Sequence, residues 1–547
     1  MILLPQTGMI MPDHSRTLWQ DDPKIWQQRT RQALRKASSW MLKKGNQMHK
    51  HSAWFCAAAV TISAARSFGA EKKPNIIVIV TDDHGYADLS CMNREPDVKT
   101  PHLDRLAAEG VRFTNGYVTA PQCAPSRAGL LTGRYQERFG FNCNGKGPLP
   151  LDEPTLADRL KQTGYTTGMV GKWHMEPLWN DQDFIDRHIP GDESLRERYD
   201  RISLDIIKQY HPFARGFQET FFGYINEYWI TYDVDGNRFK APQFIKLQGD
   251  RLDHQSAAAL QFIDDCHKKP FFLYLSYYGP HVPLASSEKY LKRFPGNMPE
   301  RRRVALAMIS SIDDGVGLIM DRLQQYGIDK NTLIFFLSDN GAPVKLTMED
   351  ITLDYHGGAW DGSKNTPLNG EKGMLSEGGI RVPFLLRWKG TVPGGQVLDT
   401  PVISLDISAT ACHAAGLEKP ETLDGENLLP LLTEKKPLPD RALYWRFWEQ
   451  TAIRKGKWKF LKLGNQQSFL FNLADDPEET ANQLTQHPEV AAELEQSLKK
   501  WAGGLNPTGV PDGTGQLQEV FWYNHFFRVP LPEGIDPTMN PFSQIGK

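Results

Sequence analysis

The sequence predicts an α/β fold, with a sheet buried between helices, followed by a smaller C-terminal α+β region built on an antiparallel sheet. Three observations predict it. Asn75–Val80 reads Asn-Ile-Ile-Val-Ile-Val, an unbroken β-branched run that suits a strand covered on both faces. Helical stretches and apolar strands then alternate along the chain, as in α/β domains. Past Glu434–Asp440 (Glu-Lys-Lys-Pro-Leu-Pro-Asp) the texture shifts to short strands with close turns.

Taken in order, the chain opens on a leader, residues 1–69. Ala53–Ala65 is apolar but too short for a membrane span. Lys43, Lys44 and Lys50 precede it, and the small residues Ser67 and Gly69 suit cleavage before Ala70. This is a secretory signal-peptide layout, and Met41 or Met48 would give a more ordinary start. No Arg-Arg pair precedes the apolar run, so twin-arginine export is not supported, and an exported, periplasmic or secreted protein is expected. The strand Asn75–Val80 ends in Thr81-Asp82-Asp83-His84, and the carboxyl end of a central strand is where α/β folds bind ligands. Thr100–Gly110 reads as a helix with Thr100 as N-cap and Pro101 at its first position. Thr155–Gly164 is a second helix. Phe271–Ser276 and Leu333–Leu337 are strands, each preceded by a helical stretch. Beyond the boundary, Tyr444–Trp448, Thr451–Arg454, Trp458–Lys462 and Phe469–Asn472 form the antiparallel sheet, and Glu489–Trp501 is an amphipathic helix. The last 40 or so residues, rich in Pro, Gly and aromatics, read as an irregular wrap.

Composition narrows the function. Over 547 residues the formal charge is −2, with a pI near 6.7, which gives no footprint for nucleic acid or an anionic membrane. An anionic substrate must then be drawn by a local cluster. Six cysteines (56, 91, 123, 143, 266, 412) show no zinc spacing and are too scattered for a disulfide framework, though one or two bridges have room to form.

The chemistry starts at Cys123, in Cys-Ala-Pro-Ser-Arg-Ala-Gly-Leu-Leu-Thr-Gly-Arg. A lone Cys is ordinarily a buried structural residue. A Cys-dependent phosphatase loop needs Cys-x5-Arg, and position 129 is Gly. Five further segments accompany Cys123: Asp82-Asp83; Gly171-Lys172-Trp173-His174; Gly279-Pro280-His281-Val282-Pro283; Ser338-Asp339-Asn340-Gly341; and Gly370-Glu371-Lys372-Gly373 with Glu377–Pro383 after it. With Leu423-Asp424-Gly425, Leu428–Leu432, Leu470–Leu473 and Asp476-Pro477-Glu478, this series, over about residues 73–485, resembles the formylglycine-dependent sulfatases. The likeness is to arylsulfatases and N-acetylgalactosamine-6-sulfatases of the alkaline phosphatase superfamily.

The resemblance implies an alkaline phosphatase-like large mixed sheet, in a catalytic domain over 70–440 and a C-terminal subdomain and tail over 441–547. It implies that a formylglycine-generating maturation enzyme converts Cys123 to 3-oxoalanine, whose hydrated aldehyde attacks sulfur. Asp82, Asp83, Asp339 and Asn340 are oxygen donors that need a cation when buried together, Ca2+ first and Mg2+ second. The resemblance implies Ca2+, with residue 123 among its ligands. Arg127, Lys172 and Lys372 cancel the three carboxylates, so a divalent ion leaves the pocket about +2, suited to a sulfate ester. By the same resemblance His174 deprotonates the nucleophile's second hydroxyl, while His281 and Lys372 bind sulfate and His281 protonates the leaving oxygen. The expected substrate is a sulfated carbohydrate or aryl sulfate. A phosphatase or phosphonate monoester hydrolase on the same scaffold, and a non-catalytic sulfated-glycan binding protein, are the alternatives. The stretch 342–364, with Asp354, Tyr355, His356, Trp360 and Asp361, is either a substrate-recognition loop whose aromatics stack on sugars or a surface insertion.

Overall fold

The computed structural model describes residues 73–539, apart from 146, 347, 354–359, 464–466 and 507–513. The expected leader, with Met41, Met48 and the cleavage site, falls outside these residues. So do Asp354, Tyr355 and His356.

The β-branched run forms the strand Asn75–Asp82, buried along its whole length. It lies near the middle of a ten-stranded mixed sheet. Across that sheet the order is Gln396–Leu398, Val111–Phe113, Phe384–Arg387, Thr332–Ser338, Asn75–Asp82, Phe271–Pro280, Thr166–Gly171, Glu219–Tyr224, Glu227–Tyr232 and Arg238–Lys246. The five strands from Thr332–Ser338 to Glu219–Tyr224 run parallel to their neighbours. Both flanks turn antiparallel, and the edge strand Gln396–Leu398 then lies parallel to Val111–Phe113. Parallel strands must be covered on both faces, and alternate residues show it. Ile76, Val78 and Val80 join one hydrophobic cluster with Ala128, Leu131, Leu156, Leu160 and Leu405. Ile77 and Ile79 join the other, with Leu103, Leu106, Phe262, Met308 and Ile312. The helices Cys123–Thr132, Leu156–Gln162 and Leu405–Ala414 therefore cover one face. Pro101–Ala108, Arg251–Cys266 and Glu300–Gln325 cover the other.

The C-terminal antiparallel sheet is present as Ala442–Phe447, Gln450–Lys455, Trp458–Leu463 and Gln467–Asn472. Its hairpins are in register throughout. Trp445, Phe447 and Leu461 on this sheet belong to the first cluster, so its apolar face shares a core with the large sheet. Its other face takes the helix Pro488–Ala502 through Leu494 and Leu498.

Three expectations need correction. Thr100 precedes its helix but its hydroxyl makes no cap bond; it accepts from Ser90 N at 2.9 Å instead. The helix is capped from outside, by Asp313, which accepts from His102 N (3.2 Å) and Leu103 N (2.7 Å). The tail is not wholly irregular, because Thr514–Phe527 is a helix. Its aromatics Phe521, Trp522 and Tyr523 are buried, so tertiary packing overrides the Pro and Gly around it. Trp360 is buried rather than offered to a sugar, and its indole N–H donates to Ser363 O at 2.6 Å. No disulfide joins Cys91, Cys123, Cys143, Cys266 and Cys412.

Candidate active site

Four adjacent parallel strands each end on a residue singled out from sequence. Asp82 closes Asn75–Asp82, and Asp339 follows Ser338. Lys172 follows Gly171, and His281 follows Pro280. Strand pairing alone thus gathers side chains up to 257 positions apart. Cys123 joins them as the first residue of the helix Cys123–Thr132. Gly171 has φ +95°, and a Cβ there would sit 1.9 Å from Ser276 O, so the Gly171-Lys172-Trp173-His174 turn requires glycine. Asp83 (φ 60°) and His174 (φ 61°) take the left-handed region at a cost that surrounding contacts must hold.

All ten predicted site residues come together. Cys123 Sγ is 3.5 Å from Asp82 Oδ1. Lys172 Nζ donates to Asp82 Oδ2 at 2.6 Å, and Lys372 Nζ to Asp83 Oδ2 at 2.8 Å. Arg127 donates through Nε and Nη2 to Asp339 Oδ2, at 3.0 and 2.6 Å, and through Nη1 to Lys172 O and Ser276 Oγ. Asp339 Oδ1 accepts from Asp83 N at 3.1 Å. Asn340 Nδ2 donates to Asp83 Oδ1 at 2.6 Å. His281 Nε2 lies 3.6 Å from Asp83 Oδ2. Its Nδ1 meets Val282 O at 2.6 Å, which commits the ring proton to Nδ1 and turns Nε2 to the pocket.

The electrostatics follow from burial against neighbours. Burial alone would raise the Asp82 carboxyl, but Lys172, His281 and Arg127 hold it well below the usual range. Asp83 is lowered too: burial opposes this, and Lys372 and His281 outweigh it. Asp339 moves up to about 6, because burial and the two neighbouring carboxylates outweigh Arg127. Burial drives His174 well down, reinforced by Lys172 and Arg127, so its imidazole is neutral. His281 falls to about 4, mainly by burial. Burial also pushes the Cys123 thiol far up.

Three carboxylates cannot share this volume as anions without cations. The pocket supplies ammonium and guanidinium groups, yet one acceptor is left over. Among the described residues, Asn340 Oδ1 is buried with no hydrogen-bond partner. An orphan carbonyl oxygen beside Asp82, Asp83 and Asp339 is the donor chemistry of a hard divalent ion. Asp82, Asp83, Cys123 and His281 also bring ligand atoms within 4.8 Å of one another.

A sequence model of the sulfatase family matches residues 74–417. The chain belongs to the sulfatase family. A second model, for the C-terminal part of N-sulphoglucosamine sulphohydrolase, matches residues 370–503. The N-acetylgalactosamine-6-sulfatase of Mus musculus is 33% identical over 423 residues, 72% of each chain. The arylsulfatase A of Bos taurus is 32% identical over 478 residues, covering 81% of this chain and 89% of its own. Among solved structures, Ps i-CgsB superposes with a TM-score of 0.66 at 30% identity, over 83% of this chain and 97% of its own. The same protein has been solved with k-i-k-neocarrahexaose. The protein is a sulfatase enzyme on an alkaline phosphatase-like scaffold, as the resemblance implied.

Several site neighbours escaped sequence reading. Tyr278 lies under Lys172 Nζ, 5.0 Å from its ring centroid, and 5.4 Å from the His281 ring. Arg251 stacks on Tyr278 and donates to His281 O at 2.7 Å, so it fixes the backbone behind that ring. Tyr224 stands edge-on to His174 and donates to Glu176 Oε1 at 2.6 Å. Tyr278 lay immediately before a recognised motif, a usable signal. Arg251 and Tyr224 carried none. Among the described residues, no helix is long and apolar enough to cross a membrane.

Proposed function

We propose that this sulfatase removes sulfate from a sulfated carbohydrate, using formylglycine made from Cys123 and a divalent ion, Ca2+ before Mg2+. The observation that carries the reading is the convergence of Arg127, Lys172 and Lys372 on the carboxylates around a buried, unreactive thiol. A thiol with a raised pKa is a poor nucleophile, and Cys123 is 1% exposed. That supports its conversion by a maturation enzyme acting on the unfolded chain, before export to the periplasm or beyond. Oxidised and hydrated, residue 123 supplies an oxygen nucleophile and a second hydroxyl for release of sulfate. Asp82, Asp83, Asp339 and the orphan Asn340 Oδ1 would hold the ion, which supplies positive charge at the nucleophile.

The chain's own groups do the rest. Lys172 and Lys372 present ammonium groups to the anionic sulfate oxygens, and Arg127 fixes Asp339 while adding its charge. His174, neutral and with Nδ1 unpartnered among the described residues, accepts the proton that must leave the second hydroxyl. His281 Nε2 faces the pocket, and an anionic ester beside it favours its protonated form. From there it delivers a proton to the leaving alcohol. The named sugar-sulfate activity of a relative and the hexasaccharide complex of a structural neighbour support a carbohydrate substrate.

Mass spectrometry of the tryptic peptide ending at Arg127 tests the nucleophile; fully active enzyme with an intact thiol overturns it. Desulfation of defined sulfated mono- and oligosaccharides, run beside aryl sulfate and aryl phosphate, tests the substrate. Turnover of the phosphate above both sulfates would make the protein a phosphatase on this scaffold.

A further inference from the structure

The helix Thr514–Phe527 lies beyond both family matches, which end at 417 and 503. It nevertheless reaches the loop that carries Lys372. Glu519, Trp522 and Tyr523, three and four positions apart, share one helix face. Trp522 Nε1 donates to Glu371 Oε1 at 2.5 Å. Glu371 Oε2 accepts from Val344 N at 2.9 Å, on the segment leaving Asp339-Asn340. Gly373, at φ +95°, lies flat on the indole, where a Cβ would be 2.3 Å from the ring. Tyr523 donates to Gln450 Oε1 at 2.8 Å, and Gln450 Nε2 donates to Glu519 Oε1 at 2.9 Å. The same Gln450 accepts from Leu375 N and donates to Gly373 O, at 2.8 and 2.9 Å. Lys372 therefore sits between two held residues, Glu371 before it held by its carboxylate and Gly373 after it held by its backbone carbonyl.

We propose that Trp522 and Tyr523 are positioning residues for Lys372: the C-terminal helix sets the height of its ammonium group in the sulfate pocket. The inference rests on the reading of Lys372 as a sulfate-binding side chain. A helix that only added bulk to the fold would need neither the indole N–H aimed at Glu371 nor two hydroxyl and amide contacts converging on Gln450.

The test compares Trp522→Phe, which deletes the N–H and the outer part of the indole while keeping an aromatic ring on the helix face, with the parent and with Lys372→Ala, in matured, metal-loaded protein. Hydrogen exchange reads the Gly373–Leu375 amides, and titration with inorganic sulfate reads the pocket. Trp522→Phe is expected to speed exchange at those amides and weaken sulfate binding about five-fold, the worth of one net hydrogen bond. In the Lys372→Ala background the same substitution leaves sulfate binding where Lys372→Ala alone puts it, because there is no ammonium left to position. The same factor in both backgrounds, or no change in exchange and binding, overturns the proposal. Faster exchange with sulfate binding indifferent to Lys372→Ala overturns it too, and places the fault in the role given to Lys372 rather than in the helix contact. Tyr523→Phe, which removes only the hydroxyl on Gln450, carries the same comparison if Trp522→Phe does not fold.

Discussion

Two of the buried charge clusters among the described residues are built to opposite ends. The first, at the strand ends, holds Asp82, Asp83, Asp339, Arg127, Lys172 and Lys372. The second joins the loop after Lys372 to the C-terminal sheet. There Lys459 Nζ lies 2.9 Å from Glu377 and 2.8 Å from Glu479. Arg381 and Arg454 close around Glu377 and Tyr117. Lys459, Glu377 and Glu479 expose no side-chain surface at all. In the first cluster Lys372 and His281 keep 16% and 19% of their side chains open. Asn340 Oδ1 has no partner among the described residues. A buried charge network sealed from solvent on every side is a strut. One left open on a side, with a side chain reaching the opening, is a site.

The largest expected effect breaks the open cluster. Asp339→Ala strands Arg127 and removes an oxygen donor. Turnover should fall by about a thousand-fold or more, the scale expected when an essential part of a catalytic unit is lost. Bound calcium, measured by elemental analysis, should fall with it. Unchanged calcium with normal turnover would mean that the ligands are elsewhere. Lys459→Met is the matching cut in the closed cluster. It leaves Glu377 and Glu479 facing each other, so stability should drop by about 3–5 kcal/mol, as for breaking a buried pair. Denaturant unfolding checks it. Calcium content of the folded fraction should stay as in the parent. If Lys459→Met strips the metal while sparing stability, the two clusters are one and the contrast fails.

How much of this was legible depends on whether the cause is local. Asn75–Val80 is strand by composition alone, and each site motif sits where a strand or helix must begin or end. Lys172 and His174 could be paired with Cys123 only because the motifs carried a family resemblance; spacing along the chain says nothing of a 2.6 Å contact to Asp82. The strands Glu227–Tyr232 and Arg238–Lys246 were not foreseen. They are partly exposed and owe their state to pairing with each other. Asp313 caps a helix 210 positions away, a partnership no local signal announces. Trp360 was a candidate sugar platform because its burial, and the turn that brings Ser363 O to its N–H, are set by tertiary packing rather than by local sequence.

A smaller effect sharpens the division of labour inside the open cluster. Lys372→Ala removes charge from a group that every sulfate ester shares, so an aryl sulfate and a sugar sulfate should lose kcat/KM about equally. His281→Ala removes the proposed proton donor. A sugar alcohol is a poor leaving group without a proton, while an activated phenolate leaves unaided. His281→Ala should therefore cost about a hundred-fold more on the sugar sulfate than on the aryl sulfate. Equal losses on both substrates would leave His281 as a binding residue or an ion ligand, which its place 3.6 Å from Asp83 also allows.

The smallest effect concerns a third buried acid, neither strut nor site. Glu519 is raised to about 8, chiefly by burial, against the donation from Gln450. Among the described residues no cation pairs with it, so at neutral pH it is held mostly as the acid. The sign follows from linkage. Its folded pKa lies above the unfolded value, so the native state binds the proton more tightly. Its contribution is fully present below about pH 4.5 and is lost as pH rises through 8. Glu519→Gln keeps an oxygen to accept from Gln450 and cannot ionise. At pH 5 the variant and parent should unfold at nearly the same denaturant concentration. Between pH 6 and 9 the parent should lose on the order of 2 kcal/mol more than the variant. Parallel pH profiles would show that Glu519 is ionised in the fold after all. The helix face beside Trp522 would then need a cation, and the closed cluster, not the acid, would be its nearer analogue.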